Sequence, residues 1–220
     1  SKVSIQLSGA ATNSKSFLVT SPTPAEGKTT LAVNLAMSFA VAGEKVVLID
    51  SDLRKPRIHK VFEIKNGGNG HGLSSFLAGV SDKMNLFRTE TENLRIIPSG
   101  PIPPNPVELL ASKRFKKLLD KLSDKYDRII LDGPPHYGFA DILVLSQQVG
   151  GIVLISSLGE TRREALRHFK KEITNVNGVI LGCIVNKMNT AKKYGYRSYY
   201  KYYQADEYQQ DAVASGELLS

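Results

Sequence analysis

The sequence predicts an α/β fold, doubly wound, in which a mostly parallel sheet is flanked by helices. Three observations predict it. Short apolar runs rich in valine and isoleucine alternate with stretches of helical period, the pattern of crossover units. Most of the apolar runs are continuous rather than alternating, as in strands covered on both faces. A chain of 220 residues with 41% hydrophobic content can bury one full core and is short for two ordinary domains.

Taken in order, strands are expected at residues 17–20, 46–49, 94–98, 128–131, 152–156 and 179–185, each a run of branched or aromatic residues. Helices fit residues 29–41, 112–122, 140–147 and 162–174, where apolar positions recur at helical spacing. Two helical stubs, at 73–77 and 106–110, are bracketed by Gly and Pro, and residues 66–72 hold four glycines and read as a surface loop. After Asn186 the character changes. Residues 192–208 read KKYGYRSYYKYYQADEY, with seven of the nine tyrosines and no aliphatic period to bury them. The chain therefore divides into an N-terminal extension (1–15), one domain (16–190) and a tyrosine-rich C-terminal tail (191–220) expected to be flexible.

Composition excludes several classes. No stretch approaches the roughly 18 to 20 apolar residues of a membrane-spanning helix, and the N-terminus lacks a signal-peptide layout, so this piece is expected to be soluble. Ser1 in place of methionine suggests a processed or excised product. The single cysteine, Cys183, rules out an internal disulfide framework, and its apolar run predicts a small buried core residue. Net charge is +8, in groups that include Arg54-Lys55-Pro56-Arg57 and Lys113-Arg114-Phe115-Lys116-Lys117. The second group lies on a helix with apolar Phe115, Leu118, Leu119 and Leu122, so its lysines read as the solvated face. The histidines His59, His71, His136 and His168 show no metal-ligand spacing, and His136 reads as a solvated loop residue.

Chemistry concentrates in three segments. Ser21-Pro22-Thr23-Pro24-Ala25-Glu26-Gly27-Lys28-Thr29-Thr30 follows a strand and opens a helix, the context a phosphate-binding loop requires. There, successive backbone N–H groups and the positive helix end can cradle phosphates, while the Lys28 ammonium reaches the outer phosphates and the Thr29 hydroxyl ligates Mg²⁺. The first glycine of the usual spacing is absent, since position 22 is proline, so a bland Gly-Lys-Thr helix start stays open on spacing alone. Val46-Val47-Leu48-Ile49-Asp50-Ser51-Asp52 and Ile129-Ile130-Leu131-Asp132-Gly133-Pro134-Pro135 then decide against it. Both are apolar strands delivering aspartate at their C-terminal ends, where open parallel sheets bind ligands. Asp50, Asp52 and Asp132 are thus expected to converge on the loop's Mg²⁺, a hard cation that takes carboxylate and water oxygens.

These segments resemble the bacterial tyrosine autokinases of exopolysaccharide and capsule synthesis. The likeness rests on the loop at residues 21–29, on Asp50-Ser51-Asp52-Leu53-Arg54-Lys55-Pro56, on Asp132-Gly133-Pro134-Pro135 and on the tyrosine-rich end, and covers nearly the whole chain from Ser16. The resemblance implies a P-loop NTPase fold of the deviant Walker class shared with partitioning ATPases, with ATP and Mg²⁺ as cofactors. It implies that Pro24, Ala25, Glu26, Gly27, Lys28, Thr29, Thr30 and Asn186 bind the nucleotide, Asn186 by reading the adenine. Thr29, Asp50 and Asp132 would hold Mg²⁺, and Lys28, Asp50, Asp52 and Asp132 would be catalytic, Asp50 or Asp52 helping to deprotonate the attacking tyrosine. Such help matters because a phenol of pKa near 10 is mostly protonated at neutral pH. Arg54, Lys55 and Arg57 would form a basic rim or remain ordinary solvated charge. Ala25 replaces a loop glycine of the family, which is tolerable if its φ stays negative.

The phosphoacceptors implied are Tyr194, Tyr196, Tyr199, Tyr200, Tyr202, Tyr203 and Tyr208, captured in trans by a neighbouring subunit. Each phosphate would add about −1.5 to −2 charge and loosen an assembly by repulsion. The resemblance further implies a membrane activator, a polysaccharide co-polymerase domain either fused or separate, a homo-oligomer, a cognate tyrosine phosphatase, and a cytoplasmic location at the inner face of the plasma membrane. No nucleic-acid partner is expected, although tyrosine mixed with Lys and Arg also suits base stacking. Residues 1–16 hold no Glu-x-x-Arg docking motif of the family, so oligomer size is left open. The rivals are a partitioning or site-selection ATPase, disfavoured because Ser21 and Pro22 stand where that class has a signature lysine, and a degenerate nucleotide-binding scaffold.

Overall fold

The computed structural model describes residues 14–65, 70–136 and 138–188. The N-terminal extension before Ser14, most of the glycine-rich loop and the whole tyrosine cluster lie outside the described residues. The chain divides into a compact unit, Ser1–Asn186, and a second from Lys187 onward.

Seven strands are described: β1 (Ser16–Thr20), β2 (Val46–Asp50), β3 (Phe87–Arg88), β4 (Leu94–Ile97), β5 (Arg128–Asp132), β6 (Gly151–Ser157) and β7 (Ile180–Asn186). They form one sheet in the order β3-β4-β2-β5-β1-β6-β7, every pairing parallel except β3 with β4. The helices are α1 (Lys28–Val41), α2 (Ile58–Val61), α3 (Leu73–Leu77), α4 (Pro106–Leu110), α5 (Lys113–Ser123), α6 (Asp141–Ser146) and α7 (Arg163–Asn175). All six expected strands and all six expected helical segments are present within two residues of their expected bounds. The short β3 and α2 were not expected, because two and four residues are too few to show a period.

Alternation along each strand divides the core in two. In β2, Val47 and Ile49 join one layer with Leu18, Leu131, Phe115, Leu145 and Phe169, while Val46 and Leu48 join the other with Val19, Ile130, Ala36 and Phe39. Helix α1 earns its place in the second layer through buried Ala32, Val33, Leu35, Ala36, Phe39 and Ala40, a stripe at helical spacing. Helix α5 buries Phe115, Leu118, Leu119 and Leu122, and the Ser112 hydroxyl oxygen caps it by accepting from the Phe115 N–H at 3.2 Å.

One expectation fails here. Cys183 is exposed rather than buried. Strand β7 sits at the sheet edge beside β6 alone, and every position along it is half-buried or exposed. An apolar run marks a strand, but how deeply it is covered depends on its place in the sheet.

Candidate active site

The three chemistry-bearing segments meet at the carboxyl end of β1, β5 and β2, which are neighbours in that order. Asp132 pairs with Val19 on one side and with Asp50 on the other. Hydrogen bonds lock the strand ends. Ser51 donates to the Asp132 carbonyl through its N–H (3.0 Å) and hydroxyl (2.8 Å), Gly133 N–H donates to Val19 O (2.9 Å), and the Thr20 hydroxyl to Pro134 O (2.7 Å).

The loop from β1 then turns into α1 through Gly27, at φ 100°. That angle is left-handed, and an added Cβ would lie 2.6 Å from the Asn186 side-chain nitrogen, so only glycine fits. Ala25 also takes a positive φ, 62°, contrary to the expectation that alanine here requires a negative one. The αL conformation costs a residue with a Cβ about 1–2 kcal/mol, and the surrounding hydrogen bonds hold it. Glu26 is 2% exposed and faces inward. Its carboxylate accepts from Thr23 N–H at 3.1 Å and contacts the Thr161 hydroxyl, while its carbonyl accepts from the Asn186 amide at 3.0 Å. Glu26 and Asn186, both expected to touch nucleotide, also hold the loop through these hydrogen bonds.

A cavity of about 390 Å³ opens above the loop. Its lining includes the expected Pro24, Ala25, Gly27, Lys28, Thr29 and Thr30, together with Asp52, Lys55 and Arg57. Pro134, Pro135 and Phe139 give it an apolar wall that the sequence did not announce. Arg54 lines it too, but not as a rim cation. Its guanidinium forks onto the buried Asp141 carboxylate at 3.1–3.2 Å and lies 4.3 Å from the Phe139 ring centre. No sequence signal links residues 87 apart, so this pairing was invisible before folding.

Beneath the cavity, Asp50 and Asp132 are almost wholly buried. One Asp50 oxygen accepts from Arg57 N–H (3.1 Å) and Ile58 N–H (3.0 Å), and Asp52 accepts from Arg54 N–H (3.2 Å) and Lys55 N–H (2.9 Å). These bonds shape the turn after β2. The second oxygen of Asp50 and one of Asp132 have no partner, an arrangement that costs free energy unless a cation or water supplies the missing contact. Burial, followed by the adjacent Asp132 charge, holds the Asp50 pKa well above the usual carboxylate range. Burial likewise pushes Asp132 up to about 7, against the Thr29 hydroxyl bond and the Lys28 charge, which lower it. Burial lowers the Lys28 pKa, opposed by Asp132, Asp52 and Glu26. The donor set of Thr29, Asp50 and Asp132, with orphaned hard oxygens under a lysine loop, fits a divalent cation bound beside phosphates.

His136, expected in solvent, is 5% exposed. Its N–H donates to Ser21 O at 2.8 Å, and its ring packs edge-on to Phe169 at 5.3 Å.

Comparison with known proteins agrees with this geometry. Residues 25–178 match a family model described as an AAA domain. The tyrosine-protein kinase YwqD of Bacillus subtilis (strain 168) is 39% identical over 89% of this chain and 82% of its own length. The crystal structure of the chimerical protein CapA2B2 superposes with a TM-score of 0.78 at 34% identity, over 85% of this chain and 81% of that one. The septum site-determining protein MinD from Pyrococcus horikoshii OT3 shares the fold at 22% identity, with a TM-score of 0.66 over 81% of this chain and 72% of its own. A nucleotide-binding P-loop fold, an Asp50–Asp132 pair at the strand ends and relatives named as kinases converge, and this chain belongs to the bacterial tyrosine-protein kinases.

Proposed function

We propose that the chain transfers the γ-phosphoryl group of ATP to tyrosines of its own C-terminal cluster, in trans between subunits, and thereby regulates exopolysaccharide and capsule export. The observation that carries this reading is the shape of the cavity. Lys28 and Thr29 line the same cavity as Asp52 and the apolar Pro134, Pro135 and Phe139, which supports adjoining places for phosphate and an aromatic ring. Thr29, Asp50 and Asp132 would hold Mg²⁺, which would supply neutralisation of the phosphate charge.

The protein's own part is positioning. The Lys28 ammonium draws the terminal phosphate to the helix N-terminus, and the apolar wall orients the incoming ring and excludes water. Asp52, at the cavity, takes the phenolic proton as the tyrosine oxygen bonds to phosphorus and the bond to the bridging oxygen breaks, releasing ADP. The partners that suit this role are a membrane activator, further copies of the chain and a tyrosine phosphatase, at the inner face of the plasma membrane. Repulsion among phosphorylated tails would then loosen the assembly.

Incubation with ATP and Mg²⁺ followed by intact mass and peptide mapping tests the reading, with Lys28→Met as control. Phosphotyrosine confined to residues 194–208 is expected. ADP formation with no phosphate on the tail, even with a cognate activator, would overturn it and favour a partitioning-type ATPase.

A further inference from the structure

A second cluster joins the loop that leaves β5 to α7, and its donor chemistry differs from that of the Asp50–Asp132 pair. His136 belongs to that loop, while His168 and Glu172 stand one turn apart on α7 and share a face. Their donor atoms all lie within 4.8 Å of one another. The His136 Nε2 contacts a Glu172 carboxylate oxygen directly, and the His168 Nε2 lies 3.5 Å from that same oxygen. The two imidazole rings are 5.9 Å apart.

From this geometry we infer a metal site: His136, His168 and Glu172 form a three-ligand seat for a zinc-class divalent ion, separate from the magnesium site beside the phosphates. A tetrahedral ion with bonds of about 2 Å holds its ligand atoms roughly 3.3 Å apart, close to the spacing already present between His168 and Glu172. The ion takes the place of the direct contact between His136 and Glu172. One ligand is held rigidly, because His136 is buried, bonded to Ser21 through its backbone and packed on Phe169. Its Nδ1 is buried without a protein partner, so Nε2 is the ring nitrogen that faces Glu172 and is offered to an ion. The other two ligands are more exposed and free to adjust. His136 and His168 also line a cavity of about 430 Å³ with Thr23 and Arg162, which leaves the fourth coordination position open to water or a small anion.

The donor set chooses the ion. Two imidazoles and one carboxylate suit Zn²⁺, Co²⁺ or Ni²⁺, whereas Mg²⁺ takes oxygen ligands and keeps its waters. The site spans two elements that otherwise touch through side chains, so metal binding ties α7 to the loop whose His136 is bonded to the start of the phosphate-binding loop. This inference does not rest on the phosphotransfer reading.

Its test uses the full chain, tag-free and stripped of metal, titrated with Zn²⁺ against a chromophoric chelator in excess Mg²⁺, and with Co²⁺ followed by visible absorption. One equivalent is expected to bind, with the intense visible bands of low-coordinate Co²⁺ and a higher Tm. His168→Ala and Glu172→Gln change exposed or half-exposed positions of α7, keep the helical circular dichroism, and are expected to weaken Zn²⁺ by about ten- to hundredfold or more. Cys183→Ser is expected to leave binding unchanged. Equal affinity in wild type and both α7 variants, or loss of binding in Cys183→Ser, would overturn the inference, as would octahedral Co²⁺ bands with no rise in Tm.

Discussion

Strands β2 and β7 carry the same kind of sequence, Val-Val-Leu-Ile-Asp against Ile-Leu-Gly-Cys-Ile-Val-Asn, and meet opposite environments. Every residue of β2 is buried between two layers of side chains, and its terminal Asp50 is forced into a site where one oxygen has no partner. Strand β7, at the edge, has Cys183 and Val185 open to solvent, and its terminal Asn186 spends its amide on the Glu26 carbonyl. Central position turns a strand-end carboxylate into a reactive feature. Edge position turns a strand-end amide into a brace. The difference lies in how many neighbours desolvate the strand end, since an unpartnered charge is costly only where water is excluded.

Core substitutions should separate the two strands most sharply. Leu48→Ala in β2 is expected to destabilise by about 2–5 kcal/mol, while Val185→Ala in β7, 45% exposed, should change stability by less than about 0.5 kcal/mol. Chemical denaturation of both variants measures this, and equal losses would break the comparison.

Next in size is the carboxylate pair. Asp132→Asn is expected to lower tyrosine phosphorylation by about a hundredfold or more with the fold intact, because the anionic oxygens under the phosphates are reduced in number. Unchanged activity would remove Asp132 from the site. The same group predicts a pH dependence of the ligand-free protein. Its folded pKa, about 7, is raised above the ordinary aspartate value of 3.8, so the folded state holds the proton more tightly than the unfolded one. The resulting stability is fully present below the unfolded value and is lost as pH rises through about 7, on the order of 4 kcal/mol at the upper limit. Thermal melts across that range should fall with rising pH, and the fall should flatten in Asp132→Asn without vanishing, since Asp50 is raised in the same direction.

Smaller effects are expected at the loop and the edge. Ala25→Gly relieves an αL alanine but frees the unfolded chain, so a net gain of about 0.5 kcal/mol in Tm-derived stability is expected. Cys183 should react with a thiol reagent in the folded protein nearly as fast as in denaturant, and strong protection would show that β7 is covered in solution.

Much of the fold was legible because each layer of this protein has its own period. Helices α1, α5 and α7 show apolar stripes, and strands β1, β2, β5 and β6 each hold a continuous apolar run between their ends. The site was legible for a related reason. The phosphate loop and the two strand-end aspartate motifs are local strings, and a parallel sheet delivers every strand's carboxyl end to the same edge. What stayed hidden was contact between strings. Arg54 meets Asp141 across 87 residues, Glu26 meets Thr161 across 135, and His136 meets Glu172 across 36. Residue type at one position says nothing about such pairs, and that is why Arg54 was expected on a solvated rim and His136 in water.

By itself, then, the sequence determined the α/β class, the succession of strands and helices, the Lys28–Thr29 loop, the aspartates that face it and the family to which the chain belongs. These are properties of short segments, set by periodicity, backbone freedom and the chemistry of single side chains. Tertiary structure alone decided which of those residues meet the cavity and which hold its loop, that Ala25 takes a left-handed backbone, that Cys183 is open, and that two histidines and a glutamate from separate elements share one seat. Each of these depends on how many neighbours surround a group and how far they exclude water, and neighbours distant in sequence are supplied only by folding.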